Sequence, residues 1–215
     1  NLAGGLAQVA IAGTGHGAFY LSNIRSISTT DRILYLGSAA NPPSITLVNI
    51  GHHALGTQNL IQIDTDTSVG RLRVIGADIA QIADKSAGRF INFPGRVDHL
   101  MLDDVHVTGG NATFNKNTSS TPTVMYLNNV SLDASGDGIS HSASSLLTIY
   151  ARNVRSNITG KQFLVVTGGS SSATLIGDVQ VIAGNLFFKS STQTVRISGP
   201  TMSADLSKIS GAVAG

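Results

Sequence analysis

Met125-Tyr126-Leu127-Asn128-Asn129-Val130 is the clearest copy of a short motif that recurs along the chain. The motif reads apolar, any residue, apolar, a spacer, Asn or Asp, and then Ile or Val. Its closing residues are 24 to 29 residues apart, at Ile24, Ile50, Ile79, Val105, Val130, Val154 and Val179. A regular period in the range of roughly 20 to 50 residues is typical of a stacked repeat architecture.

The residue before each closing position is always Asn or Asp, namely Asn23, Asn49, Asp78, Asp104, Asn129, Asn153 and Asp178. Apolar residues three and five positions before the closing residue alternate as they do in a β-strand. An unbroken strand would point the closing Ile or Val to the opposite face. We therefore expect the Asn or Asp to turn the chain, so that both flanking segments face one core. Both residue types tolerate left-handed backbone and bond to nearby backbone groups.

A second strand-like run follows in most repeats, at residues 32–36, 60–63, 90–93, 163–166 and 186–188. Short strands, polar corners and this period predict an all-β, single-stranded parallel β-helix of about seven to eight coils of about 25 residues each. A β-sandwich also has many short strands. It offers no reason for one column of Asn and Asp at the same place in every repeat.

The chain divides into three regions on this interpretation. Residues 1–17 are Gly-rich and are expected to form an entry coil that continues from missing upstream sequence. Residues 18–199 carry the β-helix. Residues 200–215 are expected to form a short C-terminal cap or tail, because Met202, Leu206 and Ile209 recur at helical spacing. Such a cap would cover the exposed edge of the last coil.

Composition excludes several classes of function. The basic residues are scattered and the formal net charge is only +2, which argues against a nucleic-acid-binding protein. No cysteine is present, and His52, His53 and His106 have no carboxylate at a ligand spacing, so we predict no metal site and no cofactor. No apolar run approaches the roughly 18 residues of a membrane span.

The position four before each closing residue should point outward, yet it is mostly apolar or aromatic. The stripe that it predicts consists of Tyr20, Ile75, Met101, Tyr126, Tyr150 and Leu175, with Thr46 as the polar exception. A continuous apolar stripe usually marks an interface, and a cyclic homotrimer is one closed arrangement that would bury it. The alternative is a ladder of tyrosine rings on which saccharides stack.

Asp78, Asp103 and Asp104 are weak candidates for catalytic residues. Adjacent coils would separate two carboxylates by about 5 Å, as in retaining glycosidases, and alternate coils by the 6.5–9.5 Å of inverting enzymes. Basic residues are close in sequence, at Arg73, Arg96, His99 and His106. The competing interpretation is that the aspartates at 78 and 104 only shape corners.

With their Asn and Asp corners, residues 18–199 resemble the right-handed parallel β-helix of phage tailspikes and pectate-lyase-type enzymes. The chain is most similar to the shaft or receptor-binding portion of a phage tailspike or tail fibre. That resemblance implies a homotrimer in the virion (phage tail) or on an extracellular surface, an upstream virion-attachment domain, and a host cell-surface polysaccharide as ligand. No lyase-type motif is present, so no catalytic residue is carried over from these families.

Three functions therefore remain open after the sequence has been read. The first is a structural and receptor-binding part of a viral spike. The second is a polysaccharide depolymerase, a glycoside hydrolase or lyase, that uses paired aspartates. The third is a bacterial surface or secreted β-helix protein without a link to phage.

Overall fold

A computed structural model of the chain describes residues 9–26, 32–37, 39–54, 59–81, 89–109, 114–116, 120–133, 136–190 and 192–199. Within these ranges the chain forms β-strands and no helix. The strands are β1 (Val9–Ala12), β2 (Phe19–Ser26), β3 (Leu34–Gly37), β4 (Ser44–Ala54), β5 (Ile61–Ile63), β6 (Ser68–Gln81), β7 (Ile91–Asn92), β8 (Arg96–Gly109), β9 (Phe114–Lys116), β10 (Thr123–Asp133), β11 (Ile139–His141), β12 (Leu146–Val166), β13 (Ser172–Lys189) and β14 (Thr194–Ser198).

The strands join, always in parallel, into two ladders that run along the molecule. The long ladder stacks β2, β4, β6, β8, β10, the first halves of β12 and β13, and β14. The short ladder stacks β1, β3, β5, β7, β9, β11 and the second halves of β12 and β13. Each residue thus pairs with its equivalent one turn later, which confirms the predicted parallel β-helix.

The solenoid makes about six turns with a period of about 26 residues. The estimate of seven to eight coils from the sequence is slightly high, because it counts corners and not the turns between them. We number the coils by their corners along the long ladder, from the first in β2 to the seventh in β13. Strand β14 then adds one strand beyond the seventh coil.

At the corner of each coil in the long ladder, the strand bends at one residue with left-handed backbone. This residue is one of the predicted Asn or Asp positions in five coils, where φ lies between 51° and 56°, at Asn23, Asn49, Asp104, Asn129 and Asn153. A left-handed residue interrupts the alternation of the strand, so the apolar residues on both of its sides face the interior. Short polar side chains adopt this conformation more readily than other non-glycine residues do.

The third coil departs from the predicted alignment by two residues. Ala77 pairs with Ile50 in the second coil and with Val105 in the fourth, so the corner is Gly76, with φ of 62°. The prediction of Asp78 as a corner residue is therefore wrong, because Asp78 follows the corner. In this coil Gly76 and Ala77 stand at the corner and closing positions that are Asn or Asp and Ile or Val elsewhere. Asp78-Ile79 matches that pattern by sequence but lies two residues later.

The seventh coil is one residue shorter than the sixth in the corner region. Ile176 pairs with Tyr150 and Val179 pairs with Val154, so only Gly177 and Asp178 remain where the sixth coil has three residues. The left-handed residue is Gly177, with φ of 117°, and Asp178 is not left-handed. The prediction of Asp178 as the corner equivalent is wrong for this reason.

The interior is a continuous column of aliphatic and aromatic side chains. Residues three and five positions before the closing residue are buried in coils two to six, and the closing residues are buried with them. Each such Leu, Ile or Val stabilises the fold by roughly 1.5–3 kcal/mol relative to an exposed side chain. The short ladder adds larger rings, and Phe90 and Phe114 pack with their centroids 5.9 Å apart.

Both ends of the chain are only partly described. Strand β1 pairs with β3, so this part of the predicted entry coil stacks on the solenoid. The first eight residues and the predicted C-terminal cap at 200–215 lie outside the described residues. Among the residues that the structure does describe, no helix is long and apolar enough to span a membrane.

Candidate functional site

The outer surface of the long ladder presents three columns of side chains between the buried columns. We call this surface, with the outward residues two, four and six positions before the closing residues, the ring face. Its middle column contains Tyr20, Thr46, Arg73, Met101, Tyr126, Tyr150, Ile176 and Ser198 in register. The strand period of two puts these residues on the outer face, and the parallel register stacks equivalent residues of adjacent coils roughly 4.8 Å apart.

Three rings of the ring face form one stack across the fourth, fifth and sixth coils. The rings of Tyr126 and Tyr150 are nearly parallel, with centroids 5.3 Å apart and an interplanar angle of 12°. His99 stacks on Tyr126 from the preceding coil at 6.2 Å. Tyr126 thus has a ring neighbour in the coil before it and in the coil after it, whereas Tyr150 has no ring partner in the seventh coil among the described residues. Tyr150 is 42% exposed.

A groove of about 420 Å³ lies beside Tyr126 and Tyr150. It is lined by Tyr126, Leu127, Asn128, Tyr150, Ala151, Arg152, Ile176 and Gly177. The shorter seventh coil explains the space, because that coil has no residue equivalent to Arg152. Gly177 lies so close to Ala151 that a Cβ there would stand 1.9 Å from the Ala151 carbonyl oxygen. The groove thus combines an aromatic wall with an exposed guanidinium group.

The polar side of the groove is held by a side-chain hydrogen bond. Asn128 Nδ2 donates to Asp103 Oδ1 of the preceding coil at 2.6 Å. The neighbouring Arg152 is exposed and makes no hydrogen bond or ion pair with the described residues. A ligand in the groove would therefore meet one ring, one positive charge and an anchored amide.

The predicted stripe is only partly in register. Tyr20, Met101, Tyr126 and Tyr150 occupy one outward column, as expected. The predictions for Ile75 and Leu175 are wrong: Arg73 and Ile176 take their places, and Leu175 is wholly buried. The two-residue shift in the third coil and the missing residue in the seventh coil cause these errors. The column is consequently interrupted by a charged residue and is not a continuous apolar stripe.

A second groove, of about 340 Å³, lies along the corners of the second to fifth coils, and we call it the corner groove. Its titratable residues are Arg25, Asp78, Asp104 and His106. His106 stands between two carboxylates, with Nδ1 3.7 Å from Asp78 Oδ1 and Nε2 3.3 Å from Asp133 Oδ2. All three side chains are partly exposed, so these contacts contribute little to stability.

The structure does not unite the three candidate aspartates. Asp78 and Asp104 both line the corner groove, but Asp104 is the corner residue of the fourth coil and Asp78 lies two positions beyond the corner of the third. Asp103 lies on the ring face, where it accepts a hydrogen bond from Asn128. Asp104 accepts one from Asn129 Nδ2 at 2.8 Å. Two of the three carboxylates are therefore engaged in bonds between coils.

The short ladder carries polar groups that the sequence did not single out. Tyr35 donates to Asp64 Oδ2 at 2.5 Å, and this hydrogen bond raises the pKa of Tyr35. The buried amide of Gln62 donates to Asp64 Oδ1 and accepts from Asn92. Only the register of the coils brings these residues together, so no local sequence pattern predicts their contacts.

Two ionisable residues are also buried inside the short ladder. Lys116 and His141 pair in register on adjacent coils. Burial lowers the pKa of Lys116 to about 8, although the Asp98 carboxylate opposes the shift. Burial also lowers the pKa of His141, whose Nε2 hydrogen-bonds the Ser145 carbonyl at 2.9 Å. No local sequence pattern predicts either burial, because only the register places Lys116 beside His141 and places His141 beside the buried Val166.

Within the described ranges, no group of three or more His, Asp, Glu or Cys residues is placed to hold a metal ion. Comparison of the chain with protein-family models, curated proteins and solved structures gives no match. The functional argument therefore rests on the geometry of the two grooves and the ring face.

Proposed function

We propose that this chain is the structural and receptor-binding part of a phage tailspike or tail fibre, exposed on the virion, and that it attaches to a host surface polysaccharide through the ring face. The support is the parallel β-helix with Asn-rich corners, which is the architecture that suggested this class from the sequence. Fold alone is a weak argument for function, so the proposal depends on the ring face.

The observation that carries the proposal is the stack of His99, Tyr126 and Tyr150 beside the groove. Sugar rings have apolar C–H faces that pack on aromatic rings, and their hydroxyl groups need polar partners at the rim. Tyr150 supplies a ring face and Asn128 and Arg152 supply polar groups within one groove. The parallel coils beneath hold these side chains on rigid strands, which reduces the entropy lost on binding.

A competing use of the ring face is as the contact between chains of a homotrimer. Arg73 argues against it, because an interface there would remove a charged side chain from water. The ring face of the described chain offers only one carboxylate, Asp103, two positions from its middle column. We therefore propose that a homotrimer, if the chain forms one, leaves the ring face open to its ligand.

The direct test is binding to purified capsular and lipopolysaccharide preparations by wild-type protein and by Tyr150→Ala. Loss of one stacked ring should weaken binding by about tenfold. Tyr20→Ala is the matched control, because Tyr20 is an exposed tyrosine of the same column with no stacked partner among the described residues. Equal binding by all three proteins, with unchanged thermal stability, would contradict the proposal.

The corner groove is the site of a second candidate function, depolymerisation of the same polysaccharide. Asp78, Asp104 and His106 are the acid and base groups that line it. Hydrolysis would release reducing ends from the polysaccharide, and Asp78→Asn would abolish that release without weakening binding. A polysaccharide that stays intact after prolonged incubation with wild-type protein excludes this second candidate.

A further inference from the structure

We infer that the polysaccharide taken by the ring face is anionic, carrying carboxylate or sulfate groups; this rests on the proposed function and names its ligand class. The three outward columns of the ring face contain four arginines, at Arg71, Arg73, Arg152 and Arg196. They contain one carboxylate, Asp103. His99 of the ring stack adds a further group that becomes positive when protonated.

These four arginines differ from the arginines that the fold uses elsewhere. All four are exposed, and none makes an ion pair or hydrogen bond with the residues that the structure describes. By contrast, Arg25 donates to the side chain and carbonyl of Asn49, and Arg96 holds both oxygens of Asp98. The guanidinium groups of the ring face therefore keep their donors available for a ligand.

The single carboxylate of the ring face offsets only one of the four arginine charges. Asp103 accepts a hydrogen bond from the neutral amide of Asn128 in the adjacent coil, and it forms no ion pair with the four arginines. The excess of positive charge therefore lies at the third coil, the sixth coil and the end of the ladder. Planar guanidinium groups bind carboxylate and sulfate oxygens through paired hydrogen bonds, which neutral hydroxyl groups of a sugar cannot match.

The positions of the arginines favour a polymer over a single sugar. Arg71 and Arg73 lie on the third coil, Arg152 on the sixth, and Arg196 one strand beyond the seventh. Five coil spacings of about 4.8 Å separate the first from the last, or about 24 Å along the solenoid axis. A single anionic sugar in the groove would meet only Arg152, whereas a chain lying along the axis would meet all of them.

Arg152 is the residue that joins this charge to the ring stack. It shares the groove with Tyr150, so a sugar packed on that ring can place an acidic substituent against the guanidinium group. Arg196 lines a separate groove of about 370 Å³ at the end of the ladder. The specific contact is thus expected at Arg152, with the other arginines adding attraction that depends on salt.

The test is calorimetric titration of the full chain with dextran, dextran sulfate and polygalacturonate. Dextran and dextran sulfate share one backbone, so their comparison isolates the anionic group, and polygalacturonate tests carboxylates. We expect both polyanions to bind and dextran not to bind. Binding should weaken as salt shortens the screening distance from roughly 30 Å at 0.01 M to about 8 Å at physiological ionic strength.

Arg152→Gln should weaken binding of the preferred polyanion by about tenfold, because it removes one charged hydrogen-bonding group. Arg155→Gln is the matched control: it removes the same charge from the same coil, but beyond the corner and off the ring face. A short polygalacturonate of two or three sugars should bind more weakly than the polymer, since it reaches fewer arginines.

Several results would overturn the inference. These are failure of both polyanions to bind at low salt, equal binding of dextran, equal losses in Arg152→Gln and Arg155→Gln, and equally tight binding of a single-stranded oligonucleotide. If Tyr150→Ala still abolishes binding of a surface polysaccharide while these results hold, the proposed function survives and only the ligand class is wrong. If Arg152→Gln weakens polyanion binding but Tyr150→Ala leaves surface polysaccharide binding intact, the proposed function fails.

Discussion

At the corners, side-chain amides link one coil to the next in a consistent direction. Asn49 Nδ2 donates to Asn23 Oδ1, Asn129 to Asp104, and Asn153 to Asn129, over 2.6 to 2.8 Å. Each amide thus donates to the preceding coil. An ionised aspartate side chain has no hydrogen-bond donor, so it fits only at a corner where the preceding coil offers no side-chain acceptor. Asp104 meets that condition, because the preceding corner is Gly76.

The direction of these hydrogen bonds predicts that Asn129→Asp and Asp104→Asn change the free energy of unfolding by different amounts. Asn129→Asp would lose the donor to Asp104 and place two carboxylates in adjacent coils, so the free energy of unfolding at pH 7 should fall by about 1–3 kcal/mol. Chemical denaturation measures this change. The loss should shrink as pH falls, because protonation of either acid removes the repulsion and restores a donor.

Asp104→Asn is the matched control, since an amide at position 104 can still accept from Asn129 and leaves no partner unsatisfied. Its effect should stay within about 0.5 kcal/mol. If Asp104→Asn destabilises the protein as much as Asn129→Asp does, the direction of the hydrogen bonds is not what decides where an acid is tolerated.

At the scale of the elements, β9 and β11 bury Lys116 and His141 inside the short ladder. Lys116 is 1% exposed, and its Nζ donates to the Thr121 carbonyl at 2.9 Å and lies over the ring of Phe93. No acid forms an ion pair with it among the described residues. The folded protein therefore holds this proton less tightly than the unfolded chain does.

The sign of the pH dependence follows from the lowered pKa of Lys116, about 8 against an ordinary value of 10.5. Between these values the unfolded chain binds a proton that the folded protein has released. Stability should therefore rise with pH across this window, by at most about 1.4 kcal/mol per pH unit. Below the folded pKa both states are protonated, and the destabilising burial of the charge is fully present.

Lys116→Met should be more stable than wild type at pH 7 and should lack this rise between about pH 8 and 10.5. Denaturation at a series of pH values measures both effects. Lys161→Met is the control, because Lys161 is an exposed lysine of β12. A rise that persists in Lys116→Met would assign the pH dependence to other groups.

At the scale of the whole molecule, the corrected register bears on how chains could assemble. The expected homotrimer rested on the resemblance to phage tailspikes and on a continuous apolar stripe, and Arg73 interrupts that column. Other large apolar side chains are exposed away from the ring face, at Ile182 and Phe188. If chains associate, these side chains are better candidates for the contact, because their burial would remove apolar surface from water without burying the arginines of the ring face.

Light scattering after size exclusion separates these arrangements. The proposed homotrimer would have three times the chain mass of 22.2 kDa, and Tyr150→Ala should leave that mass unchanged. A wild-type mass of one chain would contradict the trimer. A trimer that dissociates in Tyr150→Ala would instead place the ring face in the interface and remove the basis for glycan binding there.

The repeat could be read from the sequence because one residue type recurs at each turn for a local reason. The corner requires left-handed backbone, and this conformation is found at Asn23, Asn49, Asn129 and Asn153. The tolerance of Asn for it depends on little beyond the residue itself. In the third coil glycine occupies the corner, at Gly76, so the predicted alignment was shifted by two residues and Ile75 was misplaced. Leu175 was misplaced because the seventh coil is one residue shorter in the corner region.

The sequence by itself determined the parallel β-helix, its period and most of its corners, because backbone preference and alternation of apolar residues act over a few neighbouring residues. Only the tertiary structure decided which side chains meet across coils, such as His99 with Tyr126 and Tyr150, Lys116 with His141, and the groove beside Arg152. Contacts between coils depend on register. A change of one residue in the length of a coil moves every outward side chain relative to its neighbour, and no local pattern records that change.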